Sequence, residues 1–376
     1  MAATSTTGVM SQHAVRDNPV IPECVTVAFE RYQMGCLHEE LAGPEPRKLQ
    51  ALDIILDICK VDTKAQEGVM QGLLDVLVHI LRGSPSPSVK EKVVKCFLLL
   101  SKFPNARQKL VEDSGKLEEL RHAVQASENE QDFFGCLQTM RNVCLYPKGA
   151  DALVATGYWD WLISMLLDEA KSKPSDLRKS VYESLYKLKI ECNLDHKNTS
   201  TPKSLIRLLL KSDFTMAQGP EYATSALEFC IAVCRLDENK SEFIQNDGIA
   251  TAYKVFLGNG TLAVAATDTP LVLLTSRALQ FLGSLTVAVP GKKLVAETIG
   301  PAKIAEFFEQ CLDVQSDKIE RTLTQFMLEV CEHPDVRKAL RSRESLVAKL
   351  RASEIRADEF GKKILKKLID NIFWEP

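Results

Sequence analysis

At 376 residues, 45% apolar and 26% charged, with a formal net charge of −3, the chain has the composition of an ordinary core-forming protein. Aromatics at 7% and scarce apolar–polar alternation argue against an all-β fold. The longest apolar run, 94–100 broken by Lys95, falls far short of a membrane span.

Residues 1–24 lack a basic segment followed by an apolar core, so they read as a disordered tail and not as a secretory leader. The eleven cysteines are therefore expected as free thiols in a reducing compartment. Residues 25–376 read as one helical repeat domain. One kind of string returns along it: ARQKLVEDSGK (106–116), GADALVATGY (149–158), NKSEFIQNDGI (239–249) and GKKLVAETIGP (291–301). Each follows an apolar helical run and precedes another. Gly72, Gly115, Gly157, Gly248 and Gly300 serve as anchors, spaced by 43, 42, 91 and 52 residues. Pro202 stands where the double gap needs an anchor, and Glu344 continues the series.

Each unit reads as an apolar helix, a polar turn with Pro or Asn, a short helix, the anchor and a third helix. Three helices per forty-odd residues is the armadillo pattern, and two would be the related HEAT pattern. The expected fold is an all-α, right-handed superhelical solenoid of about seven repeats, because one such unit cannot bury its apolar face alone. In the third helices, offsets +5, +8 and +9 from the anchor are mostly apolar, as in Leu77, Ile80 and Leu81. Offset +3 is polar: Asp75, Glu118, Asp160 and Thr251. Offsets +3 and +7 thus predict a solvent-facing concave ladder of Asp75, His79, Glu118, His122 and Asp160. Trp161, at offset +4, reads equally as a half-exposed interface anchor or as packing. Residues 168–177 read as a loop, and 258–270 as an insertion that serves either as a contact site or as a connector.

Chemistry is sparse. Cys59, Cys144, Cys234 and Cys331 each precede their anchor by 13 or 14 residues, which marks a buried slot and not a metal site. The triplet His38, Glu39 and Glu40 lacks the second histidine of a zinc protease motif, and Gly258 to Gly260 lacks the Lys-Ser/Thr of a phosphate loop. No catalytic residue, cofactor or metal is predicted. Between residues 337 and 367 eleven Lys/Arg face four acids, a surplus of +7 that leaves −10 for the rest. Phe360, Ile364, Leu368 and Ile372 read as an apolar stripe on the helix there. Flanking Lys362, Lys363, Lys366 and Lys367 are either solvated or in contact with an acidic surface such as that of tubulin. Poor aromatic interleaving argues against nucleic acid.

Two stretches carry a family resemblance. The run AFERYQMGCLHEEL (28–41) with KLQALDIILDIC (48–59), and the close IFWEP (372–376), resemble the armadillo-type radial spoke head 14 proteins. Glu375 stands where that family carries a basic residue. The resemblance implies a non-catalytic structural subunit of the radial spoke in motile cilia or flagella. Its implied partners are other spoke proteins near the doublet microtubule, with neither nucleic acid nor membrane. The alternative is a soluble cytoplasmic adaptor, of transport or chaperone type, that grips an extended peptide in its groove.

Overall fold

The computed structural model describes residues 34–168, 175–191, 201–212, 219–258, 270–314 and 316–374. Every regular element among them is a helix. The tail read at 1–24 lies outside the described residues, as do 169–174 of the expected loop and 259–269 of the expected insertion. Helix resumes at Ser175, so the expected loop over 168–177 is shorter than read.

The repeat is present as triplets. After α1 (Met34–Ala42) come α2 (Glu45–Ile58), α3 (Asp62–Met70) and α4 (Leu73–Arg82). The second triplet is α5 (Pro87–Leu100), α6 (Pro104–Glu112) and α7 (Gly115–Gln125). The third is α8 (Glu130–Val143), α9 (Gly149–Ala155) and α10 (Tyr158–Leu167). In the fourth, α11 (Ser175–Tyr186) runs into a π-helical turn (Lys187–Glu191), and α12 (Lys203–Ser212) follows Pro202. Then come α13 (Pro220–Val233), α14 (Asp237–Gln245) and α15 (Gly248–Gly258); α16 (Pro270–Thr286), α17 (Val289–Ile299) and α18 (Pro301–Asp313); and α19 (Asp317–Val330), α20 (Pro334–Arg341) and α21 (Glu344–Arg356). A further helix, α22 (Glu359–Phe373), packs on α19 as the first helix of another triplet would.

This array divides into two compact units after Trp161, where a single repeat domain is expected from sequence. In the first, α2, α5 and α8 stack in line, and α4 packs beside α7. In the second, the stack runs α11, α13, α16, α19 and α22.

Local rules explain the triplet. The first helix spans 14 residues in α2, α5, α8, α13 and α19. The residue just after it is Cys59, Ser101, Cys144, Cys234 or Cys331. Ser101 Oγ donates to Leu98 O at 2.8 Å, and Cys331 Sγ to Leu328 O at 3.2 Å. Thr286, the last residue of α16, donates likewise to Gly283 O at 2.9 Å. The slot takes a small side chain with a donor, which satisfies a carbonyl left over at the helix end. Cysteine is one solution among three. Cys59, Cys234 and Cys331 are buried in it, whereas Cys144 is half-buried.

Proline opens α6, α17 and α20, in the first turn, where a missing N–H goes unfelt. All five anchor glycines sit at the junction of second and third helices. Gly72 and Gly157 take left-handed φ there, whereas at the α14–α15 junction Asp247 carries the positive φ ahead of Gly248. Most apolar offsets are buried: Leu77, Leu120 and Leu162 are fully enclosed, whereas Ala123 and Tyr253 are half-buried. Each such leucine contributes about 1.5–3 kcal/mol.

Polar clasps tie successive triplets together. In the first unit Arg82 pairs with Glu119 at 2.8 Å, Asn142 Nδ2 donates to Ser101 Oγ at 2.9 Å, and Lys92 pairs with Asp53. In the second, buried Glu242 accepts from Lys203 (3.1 Å) and Arg207 (3.0 Å), and Arg277 pairs with Glu228 at 2.8 Å. Glu309 meets Arg343 at 2.5 Å.

The bond from Lys203 holds the Glu242 carboxyl below its ordinary range, and that from Ser345 does the same for Glu309. A depressed carboxylate contributes stability that is present above its unfolded value, near ~4.3, and lost as pH falls through the folded value. Thermal unfolding from neutral pH to pH ~3 should therefore show an acid limb. Glu242→Gln should flatten that limb and lower the melting temperature only on its neutral side.

Candidate partner-binding surface

The predicted ladder lies on α4, α7 and the start of α10. Its residues Asp75, His79, Glu118, His122 and Asp160 are all exposed. They are solvent-facing because the +5 and +9 leucines and valines of the same helices point into the stack.

Their partners differ. Asp75 is engaged with Lys116 at 2.8 Å, and the Lys116 ammonium also meets Asp113. Lys116 is buried along its stem, so Asp75 serves as a clasp between α4 and α7 as well as a surface charge. On α7, Arg121 Nη2 lies 2.7 Å from His122 Nε2. A guanidinium only donates, so in this contact the imidazole nitrogen is the acceptor. Glu118 Oε1 stands 4.0 Å from the same ring. Arg121 Nε also donates to Thr156 O at 3.0 Å, which ties α7 to the turn before α10. Asp160 has no ionic or hydrogen-bonding partner among the described residues. The two acids of the row without a lysine or arginine partner are thus Glu118 and Asp160.

Trp161 is not on this surface. It is 4% exposed, stacked on Phe133 with centroids 6.2 Å apart and edge-on to Tyr158 at 5.6 Å. The packing alternative is the correct one: offset +4 in α10 turns toward α8, because large aromatics from both helices fill the gap. Tyr158 Oη, buried beneath it, donates to Leu117 O at 3.0 Å. The sequence reading missed Arg82 with Glu119 and Arg121, whose charges share this side of α4 and α7. Opposite charges in neighbouring third helices were the available signal.

On α22 the stripe differs from the expected one. Leu365, Leu368 and Ile372 are buried, whereas Ile364 is half-buried and Phe360 is 73% exposed. The helix is rotated because Leu365 and not Ile364 meets its neighbours. Lys363, Lys366 and Lys367 are exposed, and Lys362 pairs with Glu359 at 3.5 Å. Asp358 Oδ1 accepts from Gly361 N at 2.7 Å and caps the helix; Arg341 Nε donates to Ile372 O at 3.2 Å near its other end.

Among the described residues no group of three His, Cys, Asp or Glu side chains could hold a metal ion. No described helix is long and apolar enough to cross a membrane.

No family model matches the chain. No curated protein matches it. It is similar in structure to a crystal structure of an engineered protein, with TM-score 0.68 and 15% identity over 97% of this chain and 82% of that one. A second engineered protein matches with TM-score 0.50 and 16% identity, over 68% of this chain and 96% of the other. At such identities the likeness concerns the fold, which is an all-α helical-repeat architecture.

Proposed function

We propose that the protein is a non-catalytic scaffold that docks a basic segment of a partner protein along Glu118, His122 and Asp160, with His79 at the edge. The supporting observation is the exposed row itself, regular across successive third helices and carrying Asp160, without a side-chain partner among the described residues, and Glu118, whose one neighbour is the His122 ring at 4.0 Å. The resemblance of 28–59 and 372–376 to radial spoke head 14 proteins supports an axonemal setting, with other spoke subunits as partners. Rim charges steer and specify; each contributes about 0.5–1 kcal/mol.

The test is Glu118→Lys with Asp160→Lys. Asp75 is left intact because it holds Lys116. Wild type should stay with detergent-extracted axonemes of motile cilia, and the double variant should wash out with unchanged helical circular dichroism. A wild type that washes out would overturn the axonemal setting and favour the adaptor. A double variant that stays bound would dismiss the row.

A further inference from the structure

The α22 face departs from the charge pattern of the rest of the chain. Elsewhere cations at triplet junctions meet acids: Lys92, Lys116, Lys179, Arg277, Lys292 and Arg343 are all paired. On α22, Lys363, Lys366 and Lys367 have no acidic partner among the described residues. Like charges three and four residues apart on a helix repel, and Glu359 and Asp370, four residues from Lys363 and Lys366, offset part of that repulsion without forming an ion pair. Phe360 adds a second departure. It is 73% exposed in the first turn, and it falls at i, i+3 and i+7 with Lys363 and Lys367, on one stripe of the helix.

We infer that the stripe Phe360, Lys363 and Lys367, with Lys366 beside it, is a docking surface for a short acidic segment of a partner protein, one carrying an apolar residue that covers Phe360. Charge selects this occupant. Three unpaired ammonium groups along one side of a helix match carboxylates at similar intervals. The geometry disfavours a flat anionic membrane. Exposed Glu359 and Asp370 share the outward side, and a bilayer would repel both. Phe360 and the exposed Phe373 lie about 140° apart around the helix, so they do not enter one plane together. A short peptide confined to Phe360 through Lys367 meets the ring and the cations and stops short of Asp370, which continues the stripe one turn on. This surface shares no residue with the row on α4, α7 and α10 and takes the opposite charge, so the two readings fail independently.

The probe is a fluorescent peptide of glutamates interspersed with leucine, titrated by anisotropy against the full chain. Vesicles of phosphatidylcholine with phosphatidylserine are assayed in parallel. Wild type should bind the peptide, and more weakly as salt rises. Combined Lys363→Glu, Lys366→Glu and Lys367→Glu should lower affinity at least about tenfold, as three rim charges together allow. Phe360→Ser should lower it several-fold, and Lys102→Glu, an exposed lysine elsewhere, should leave it unchanged. If the triple variant unfolds, glutamine at the same three positions gives the same reading. Absence of peptide binding, equal binding by the triple variant, preference for the vesicles, or self-association abolished by the same substitutions would each overturn the inference.

Discussion

Trp159→Ala should lower the stability of the first unit by about 3–5 kcal/mol, the usual cost of removing a large buried aromatic. Trp159 is 1% exposed and among the largest fully buried side chains of the chain. Domains are commonly stable by only ~5–15 kcal/mol, so this loss removes much of the reserve. Urea titration should show a lower midpoint with an unchanged slope, the sign of lost stability without a change in exposed surface. Trp161→Ala is the informative companion. An interface anchor exposed to solvent would cost little stability and much binding. A ring packed on Phe133 and Tyr158 costs stability first, here also several kcal/mol. A Trp161→Ala protein that unfolds at the wild-type midpoint would contradict the packing around α10.

What the sequence revealed and what it concealed follow from the range of the forces involved. The triplet was legible because it is local. A helix junction needs a residue tolerant of tight turns, proline fits a first turn, and apolar residues at helical spacing mark the inward side. Hence Gly72, Gly157 and Gly300 fall at their predicted junctions, and offset +3 is exposed at Asp75, Glu118 and Asp160. The cysteine slot was seen only in part. Its requirement is a small donor for the carbonyl three residues back, so Ser101 and Thr286 serve as well as Cys331. A search for cysteine alone does not find them. Sequence leaves Trp161 undecided and misplaces Phe360 for another reason. Each sits at the border of a helix face, where a rotation of a few tens of degrees exchanges buried for exposed. That rotation is set by neighbouring helices: by Phe133 for Trp161, and by the burial of Leu365 for Phe360. The engagement of Asp75 with Lys116 depends in turn on how α4 and α7 meet, which periodicity within one helix does not report.

Gly291→Ala carries the other large effect. Gly291 lies in the first turn of the second helix of the sixth triplet, and a Cβ there would overlap the Leu285 carbonyl oxygen and lie 2.9 Å from its carbonyl carbon. The obstacle is backbone, at the end of α16, so no side-chain rotation relieves it. Gly149 repeats the arrangement against Val143, whose carbonyl carbon would stand 2.8 Å away. Both glycines lie six residues after the carbonyl they approach. At the corresponding place in the fifth triplet Asn239 Nδ2 donates to Val233 O at 3.1 Å. After α8 and α16 the chain turns so sharply that a Cβ at this site meets the carbonyl, whereas the second and seventh triplets turn wide enough to bury Ala106 and Val336 there. Alanine at Gly291 therefore forces the α16–α17 turn open, and the strain should cost about 3 kcal/mol, at the upper end of overpacking. The melting transition of the second unit should fall by roughly 6–12 °C, given ~2–4 °C per kcal/mol in domains of this size. Hydrogen exchange should quicken first in α17 and the end of α16, because the strain is local. A control, Gly35→Ala on α1, has open space around its Cβ position and should leave the transition unmoved. Equal melting of the Gly291→Ala and wild-type proteins would show that α16 and α17 meet less tightly than the carbonyl contact requires.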